Sequence, residues 1–211
     1  RNESTIFIGG QANMPYGDRS REEIISLTRD SVNFLLSKDV KIIIFGCNTA
    51  TAVAMSTIQK EIPLQIIGVV QSGALAAART TETKNVAVIG TKATVDSHSY
   101  LKEIQYRDPE IKVSEFAQPK LAPLAEEDPD EDIKNAVVSE SLTPLKNADY
   151  DTLVLGCTHY PLLRDEIVAV VGQDKKIVDP ADQVAQYTYN VLRRDDLFAE
   201  STAPVKHDYY T

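Results

Sequence analysis

Four short apolar runs constrain this chain more than anything else in it: residues 41–45 (KIIIF), 64–70 (LQIIGVV), 86–90 (VAVIG) and 152–155 (TLVL). None follows the regular in-out alternation of a strand with one wet face. Such runs suit strands buried on both faces, as in a parallel sheet. Residues 5–8 add a short strand, 111–115 a weaker one and 176–178 another short one. Helical patterns fill the gaps. Ser20 is an N-cap candidate with Glu23 three residues on, a capping box, and Ile24, Leu27, Ser31, Phe34 and Leu35 keep helical spacing as far as Lys38. Further helices are expected over 50–60, 73–80, from Thr94, over 129–147 (acidic to basic, amphipathic), from Leu162, and over 181–194. Strands alternating with helices define an α/β chain with a mostly parallel sheet. In such sheets ligands gather at the carboxyl ends of the strands, so the chemistry should lie just after the apolar runs.

Composition excludes several classes. Lys and Arg total 22 against 31 Asp and Glu, a net charge of −9 over 211 residues. A chain this acidic, with no basic patch, is no candidate for nucleic acid or an anionic membrane. No apolar run approaches the roughly 20 residues needed to span a bilayer. Two cysteines and nine glycines rule out a disulfide scaffold or a low-complexity chain. The chain opens at Arg1 on what reads as a strand already under way. Its end, a polar stretch from Glu200 to Val205 followed by His-Asp-Tyr-Tyr-Thr, is expected to carry no closing element.

Two segments echo each other: KIIIFGCNTA at 41–50 and TLVLGCTHYP at 152–161. Each is a buried strand, then Gly, then Cys, then small or polar hydrogen-bonding residues, then a helix start. Both cysteines of the chain, Cys47 and Cys157, occupy the same place in the two copies, as two similar α/β halves would put them. A lone cysteine after an apolar run is usually a small buried hydrophobe. Two in one context argue for chemistry, and the partial positive charge of a helix N-terminus would lower each thiol from its free value of about 8.5. Zinc wants four ligands, and Cys157 with His159 supplies two, so no metal is expected. A Cys–His hydrolase would leave the second cysteine idle. Two thiols across a cleft can instead invert a stereocentre without a cofactor: one removes a proton from a carbon acid, the other delivers one to the opposite face. No GxGxxG or P-loop pattern suggests a nucleotide.

The segments MPYG (14–17), FGCNTATA (45–52), IIGVV (66–70), VIGTKATVDSHSY (88–100), PLAEE (123–127) and LVLGCTHYPLL (153–163) come in one order and span most of the chain. In them the chain resembles the glutamate racemases of the aspartate/glutamate racemase superfamily. The resemblance implies a cofactor-independent isomerase that interconverts L- and D-glutamate and supplies D-glutamate for peptidoglycan in the cytoplasm, often as a homodimer. Cys47 and Cys157 would be the acid/base pair, Cys47 acting on D-glutamate and Cys157 on L-glutamate. His159 would assist Cys157, with Glu126 as an acidic helper. Pro15, Tyr16, Gly17, Asn48, Thr49, Thr91, Thr94 and Thr158 would bind the substrate's amino and carboxylate groups.

Plainer roles stand beside these. Tyr16 and Gly17 fit a Pro-Tyr-Gly turn. Thr49, Thr91 and Thr94 are helix-cap candidates, Thr94 foremost. Glu126 belongs to an acidic run expected to be a solvated loop, and His98 and His207 read as surface residues. The chain also departs from the pattern. Gly10 stands where the family has an aspartate that helps the cysteine represented by Cys47, an absence expected to slow the D-to-L half-reaction. Ser72 replaces a proline. The family's opening strand with its Asp-Ser-Gly loop and its closing helix are missing, so a truncated, non-catalytic ligand binder is one alternative, and another racemase of the superfamily, for example of aspartate, is a second. Two α/β domains are expected with the site in the cleft between them: 1–71 plus 181–211, carrying Cys47, and 72–180, carrying Cys157.

Overall fold

The unalternating runs become short parallel strands, each passing into a helix. The structure is a computed structural model and describes residues 3–199 and 204–211. In chain order its elements are β1 (Thr5–Ile8), a 3-10 turn (Gln11–Asn13), α1 (Arg21–Leu36), β2 (Ile43–Phe45), α2 (Asn48–Val53), α3 (Met55–Ile58), β3 (Ile66–Gly68) and α4 (Val69–Thr80). They continue with β4 (Asn85–Gly90), α5 (Lys92–Asp96), α6 (Ser99–Arg107), β5 (Lys112–Ala117), α7 (Leu121–Glu127), α8 (Glu131–Ser141) and β6 (Thr152–Gly156). Last come α9 (Arg164–Val171), β7 (Lys176–Val178), α10 (Pro180–Arg194) and β8 (His207–Tyr210). Every strand pair is parallel: β1 with β8, β2 with β3, and a four-stranded sheet in the order β5-β4-β6-β7. The chain is α/β, and among the described residues no ladder joins β1–β8 to β2–β3.

Strands β4 and β6 show why alternation is missing. Successive side chains of a strand point to opposite faces. Ala87, Ile89, Leu153 and Leu155 face one core with Leu121, Val138, Leu142 and Ile167. Val86, Val88 and Val154 face the other with Val70, Ala77, Tyr100 and Ile104. Both faces are covered, so both must be apolar, and each large side chain buried there contributes about 1.5–3 kcal/mol. A third core gathers Ile24, Val32, Ile43, Phe45, Ile58 and Ile66 under α1.

Helix α1 starts as its sequence demands. Ser20 Oγ accepts from Glu23 N at 3.3 Å, and Glu23 Oε2 accepts from Ser20 N at 3.0 Å. At the amino end of β6 the Asp151 carboxylate accepts from the Thr81 hydroxyl and Glu82 N at 2.6 Å and from Thr83 N and the Thr152 hydroxyl at 2.8 Å. Partial burial alone would raise its pKa. The hydrogen bonds outweigh that and hold the carboxyl well below the usual carboxylate range.

Several expectations need correction. The apolar run 64–70 is not one strand: β3 ends at Gly68 and α4 begins at Val69 rather than 73, because both faces of the helix start are as buried as the strand. The helix expected over 50–60 is α2 and α3, broken at Ala54. The helix expected over 129–147 stops at Ser141, and Pro144 sits in the first turn of a 3-10 stretch (Thr143–Asn147). A 3-10 turn (Tyr160–Leu163) precedes α9 where a helix from Leu162 is expected. The chain end, expected to carry no closing element, forms β8 beside β1. Residues 200–203 of the polar stretch before it lie outside the described residues.

Candidate active site

The site is built at strand ends. Strand β2 stops at Phe45, and Cys47, in extended conformation, becomes the N-cap of α2. Strand β6 stops at Gly156, and Cys157 follows directly. Cys157 is 6% exposed, while Cys47 is open to solvent. Crowding by the surrounding protein atoms pushes the Cys47 thiol up, against the backbone N–H groups of Ala50 and Thr49 and the Thr49 hydroxyl. Cys157 is pushed up to about 12, first by burial and then by the charge of Cys47, against the N–H groups of His159 and Tyr160. The expectation that helix N-termini would lower both thiols is thus overturned: desolvation outweighs the local N–H dipoles. The two sulfurs are near enough for the charge of one to oppose ionisation of the other.

A line of polar contacts runs outward from Cys157. Its Sγ lies 3.6 Å from His159 Nδ1, and His159 Nε2 lies 2.5 Å from Glu126 Oε1. Glu126 is not in a loop, as its acidic surroundings suggest, but in the last turn of α7, which turns it toward the imidazole. Tyr160 braces this loop from below, its buried hydroxyl donating to Gln118 O at 2.8 Å.

A cluster of hydroxyls lies on the Cys47 side. Thr49 Oγ1 is 2.9 Å from Thr91 Oγ1 and 3.4 Å from Thr94 Oγ1, and Thr91 is 3.0 Å from Thr94. Thr91 is the N-cap of α5, accepting from Thr94 N, so the cap role favoured for Thr94 belongs to Thr91. Thr94 is 0% exposed, and its hydroxyl joins the cluster from inside the protein. Gly17 O accepts from Ala93 N at 3.1 Å, and a Cβ on Gly17 would lie 2.9 Å from Thr91 Cβ. Only a glycine lets the 14–17 loop come this close to α5.

Other candidates stand apart. Pro15, after a cis peptide bond, is exposed, and Thr158 is exposed without a hydrogen bond among the described residues. Tyr16 is half-buried, and burial followed by the charge of Cys47 raises its pKa. A Cβ on Gly10 would lie 2.4 Å from the Tyr16 hydroxyl, so an aspartate at this place requires the phenol to move. His98 and His207 are surface residues, as expected, and each has a surface partner: His98 Nδ1 is 2.7 Å from Glu115 Oε2, and His207 Nδ1 is 2.7 Å from Thr5 Oγ1. Sequence reasoning missed Tyr100, whose hydroxyl donates to Asn48 Oδ1 at 2.6 Å. Among the described residues no group of three or more His, Cys, Asp or Glu side chains is placed to hold a metal ion. No described helix is long and apolar enough to cross a membrane.

Comparison with known proteins meets this geometry. A family profile described as Asp/Glu/Hydantoin racemase matches residues 2–188. The chain belongs to this family. A glutamate racemase of Lactobacillus johnsonii is 98% identical over 210 residues, covering 100% of this chain and 79% of that protein. The glutamate racemase isoform RacE1 of Bacillus anthracis superposes with a TM-score of 0.94 at 36% identity, covering 99% of this chain and 78% of that one. The Francisella tularensis enzyme, solved in complex with D-glutamate, gives 0.92 at 29% identity over 99% of this chain and 78% of its own. Membership in this racemase family makes the chain an isomerase.

Proposed function

We propose that this chain interconverts L- and D-glutamate by two-thiol acid/base catalysis. The carrying observation is that two cysteines stand at matching strand ends, each just after a parallel strand, with the charge of Cys47 reaching Cys157. The glutamate racemases among its relatives support glutamate as the substrate.

In the proposed cycle one cysteine enters as thiolate and the other as thiol. With L-glutamate, the Cys157 thiolate takes the Cα proton, and the Cys47 thiol gives its proton to the opposite face. D-Glutamate leaves with Cys47 as the thiolate. The reverse reaction starts from there, so each turnover conserves protons and no electrons are exchanged. The Cα proton is very weakly acidic, and a thiolate of high pKa is a correspondingly strong base for it. His159 receives the Cys157 proton through Nδ1 when the thiolate is generated, with Glu126 holding the ring. Asn48, Thr49 and Thr91, with the 14–17 loop, would bind the substrate's polar groups as Thr158 closes from the other side. Fixed donors at strand ends stabilise the carbanion-like transition state.

The cleft lies between two units, residues 1–71 with 181–211 and residues 72–180. The reaction belongs in the cytoplasm, feeding D-glutamate to peptidoglycan synthesis, and the working form is a homodimer. Incubation with each enantiomer in heavy water tests the chemistry. Deuterium should enter Cα from both, and Cys47→Ala or Cys157→Ala should abolish net racemisation. A folded protein that incorporates none from either enantiomer would refute the proposal.

A further inference from the structure

Tyr100 takes no part in the chemistry above, yet it touches both cysteine loops. It is the second residue of α6 and is 0% exposed. Its ring fills space that two glycines leave free. A Cβ on Gly73 would lie 3.0 Å from the Tyr100 hydroxyl, and a Cβ on Gly156 would lie 3.2 Å from Cε2. Gly156 immediately precedes Cys157. The hydroxyl donates to Oδ1 of Asn48 at 2.6 Å, and Asn48, 2% exposed, immediately follows Cys47. One phenol therefore contacts the residue before one thiol and the residue after the other.

A primary carboxamide has one acceptor end and one end with two N–H donors. Tyr100 occupies the acceptor end. Burial, followed by the charges of Cys157 and Asp179, raises the phenol's pKa and so keeps its hydroxyl protonated as a donor. The amide nitrogen of Asn48 makes no hydrogen bond among the described residues. Two free N–H donors match a carboxylate and repel an ammonium group.

We propose that Tyr100 is a positioning residue: by holding Oδ1 of Asn48 it turns the amide N–H donors to the substrate, which makes Asn48 a ligand of a glutamate carboxylate and not of the amino group. This rests on the glutamate reading above. Without the phenol the amide is free to flip, and a flipped amide presents its oxygen to the carboxylate.

The test is a double-mutant cycle on glutamate binding, measured by calorimetry with racemic glutamate so that turnover leaves the composition unchanged. Tyr100→Phe keeps the ring and removes the hydroxyl. It should weaken binding about tenfold, with the larger part of the kinetic loss in KM rather than kcat. In an Asn48→Ala background the same substitution should change nothing further, because its target is gone. Equal loss in both backgrounds would mean that Tyr100 only supports the fold, and wild-type affinity in Tyr100→Phe would also overturn the inference. Asn48→Asp gives an answer independent of any folding defect in Tyr100→Phe. It keeps the acceptor for Tyr100 and removes the N–H donors, so it should stay folded and lose glutamate; retained affinity would sink the proposal. A wild-type protein that binds glutamate without exchanging Cα hydrogen defeats the racemase reading alone, and the binding cycle still decides the role of Tyr100.

Discussion

A carboxylate that accepts from an imidazole N–H fixes the tautomer of the ring. Glu126 accepts from His159 Nε2, which leaves Nδ1 as the acceptor facing the Cys157 sulfur. In the proposed cycle, proton exit from this thiol would depend on a residue two steps from the sulfur. Glu126→Gln removes the negative charge that favours this tautomer and the cationic ring. We expect kcat/KM to fall by roughly 10²-fold. Because the two enantiomers have equal free energy, the fall must be the same in both directions, and a polarimetric assay started from each enantiomer reads both. A change of less than about threefold, within the spread of ordinary surface substitutions, would remove Glu126 from the relay. That Cys157 and His159 share one loop is legible in the sequence, since two residues of spacing after a strand put them there, but the role of His159 comes from the resemblance. Glu126 comes only from the resemblance, because an acidic run gives no sign of which carboxylate turns inward.

Elements were legible where a local signal exists. Ser20 and Glu23 announce α1 through a reciprocal hydrogen bond between residues three apart. The unalternating runs announce β4 and β6, because burial on both faces leaves no room for polar residues. Where strand passes into helix without a turn residue, as at Gly68 and Val69, hydrophobicity alone cannot mark the boundary. The Tyr100–Asn48 bond joins residues 52 apart and has no local signature at all. Asp151 belongs to the same class, since it ties the loop between α4 and β4 to the start of β6. Asp151→Ala leaves two backbone N–H groups and two hydroxyls without their acceptor. The expected cost is about 2–4 kcal/mol, read as a lower urea midpoint at unchanged slope. A cost below about 0.5 kcal/mol would place these groups in water rather than in the fold.

The whole molecule should be most stable over a window of pH set by groups of opposite sign. Asp151 has a depressed pKa in the folded protein, so its stabilisation is present above the unfolded value of about 3.9 and is lost as pH falls below it. Cys157 has a raised pKa, so the fold keeps a proton that the unfolded chain gives up above about 8.5. Its stabilisation is present below that value and is lost as pH rises toward about 12. Chemical denaturation between about pH 3 and pH 11 should trace a plateau from roughly 5 to 8 with a falling limb on each side. Cys157→Ser should make the alkaline limb shallower, the remainder coming from Cys47, Tyr100 and Tyr160, and leave the acid limb alone. An alkaline limb of unchanged slope in that variant would show that the buried thiol is not its source.

A pair of thiols that both resist ionisation gives the protein a memory. Both sulfurs sit where ionisation is disfavoured, and the charge of Cys47 opposes the ionisation of Cys157. After the proposed turnover the proton pattern is the mirror of the one before it, and the empty protein carries a record of which hand it last released. It can take up only the hand it has just made until its protons exchange with solvent. At high flux, forgetting rather than chemistry would then set the pace.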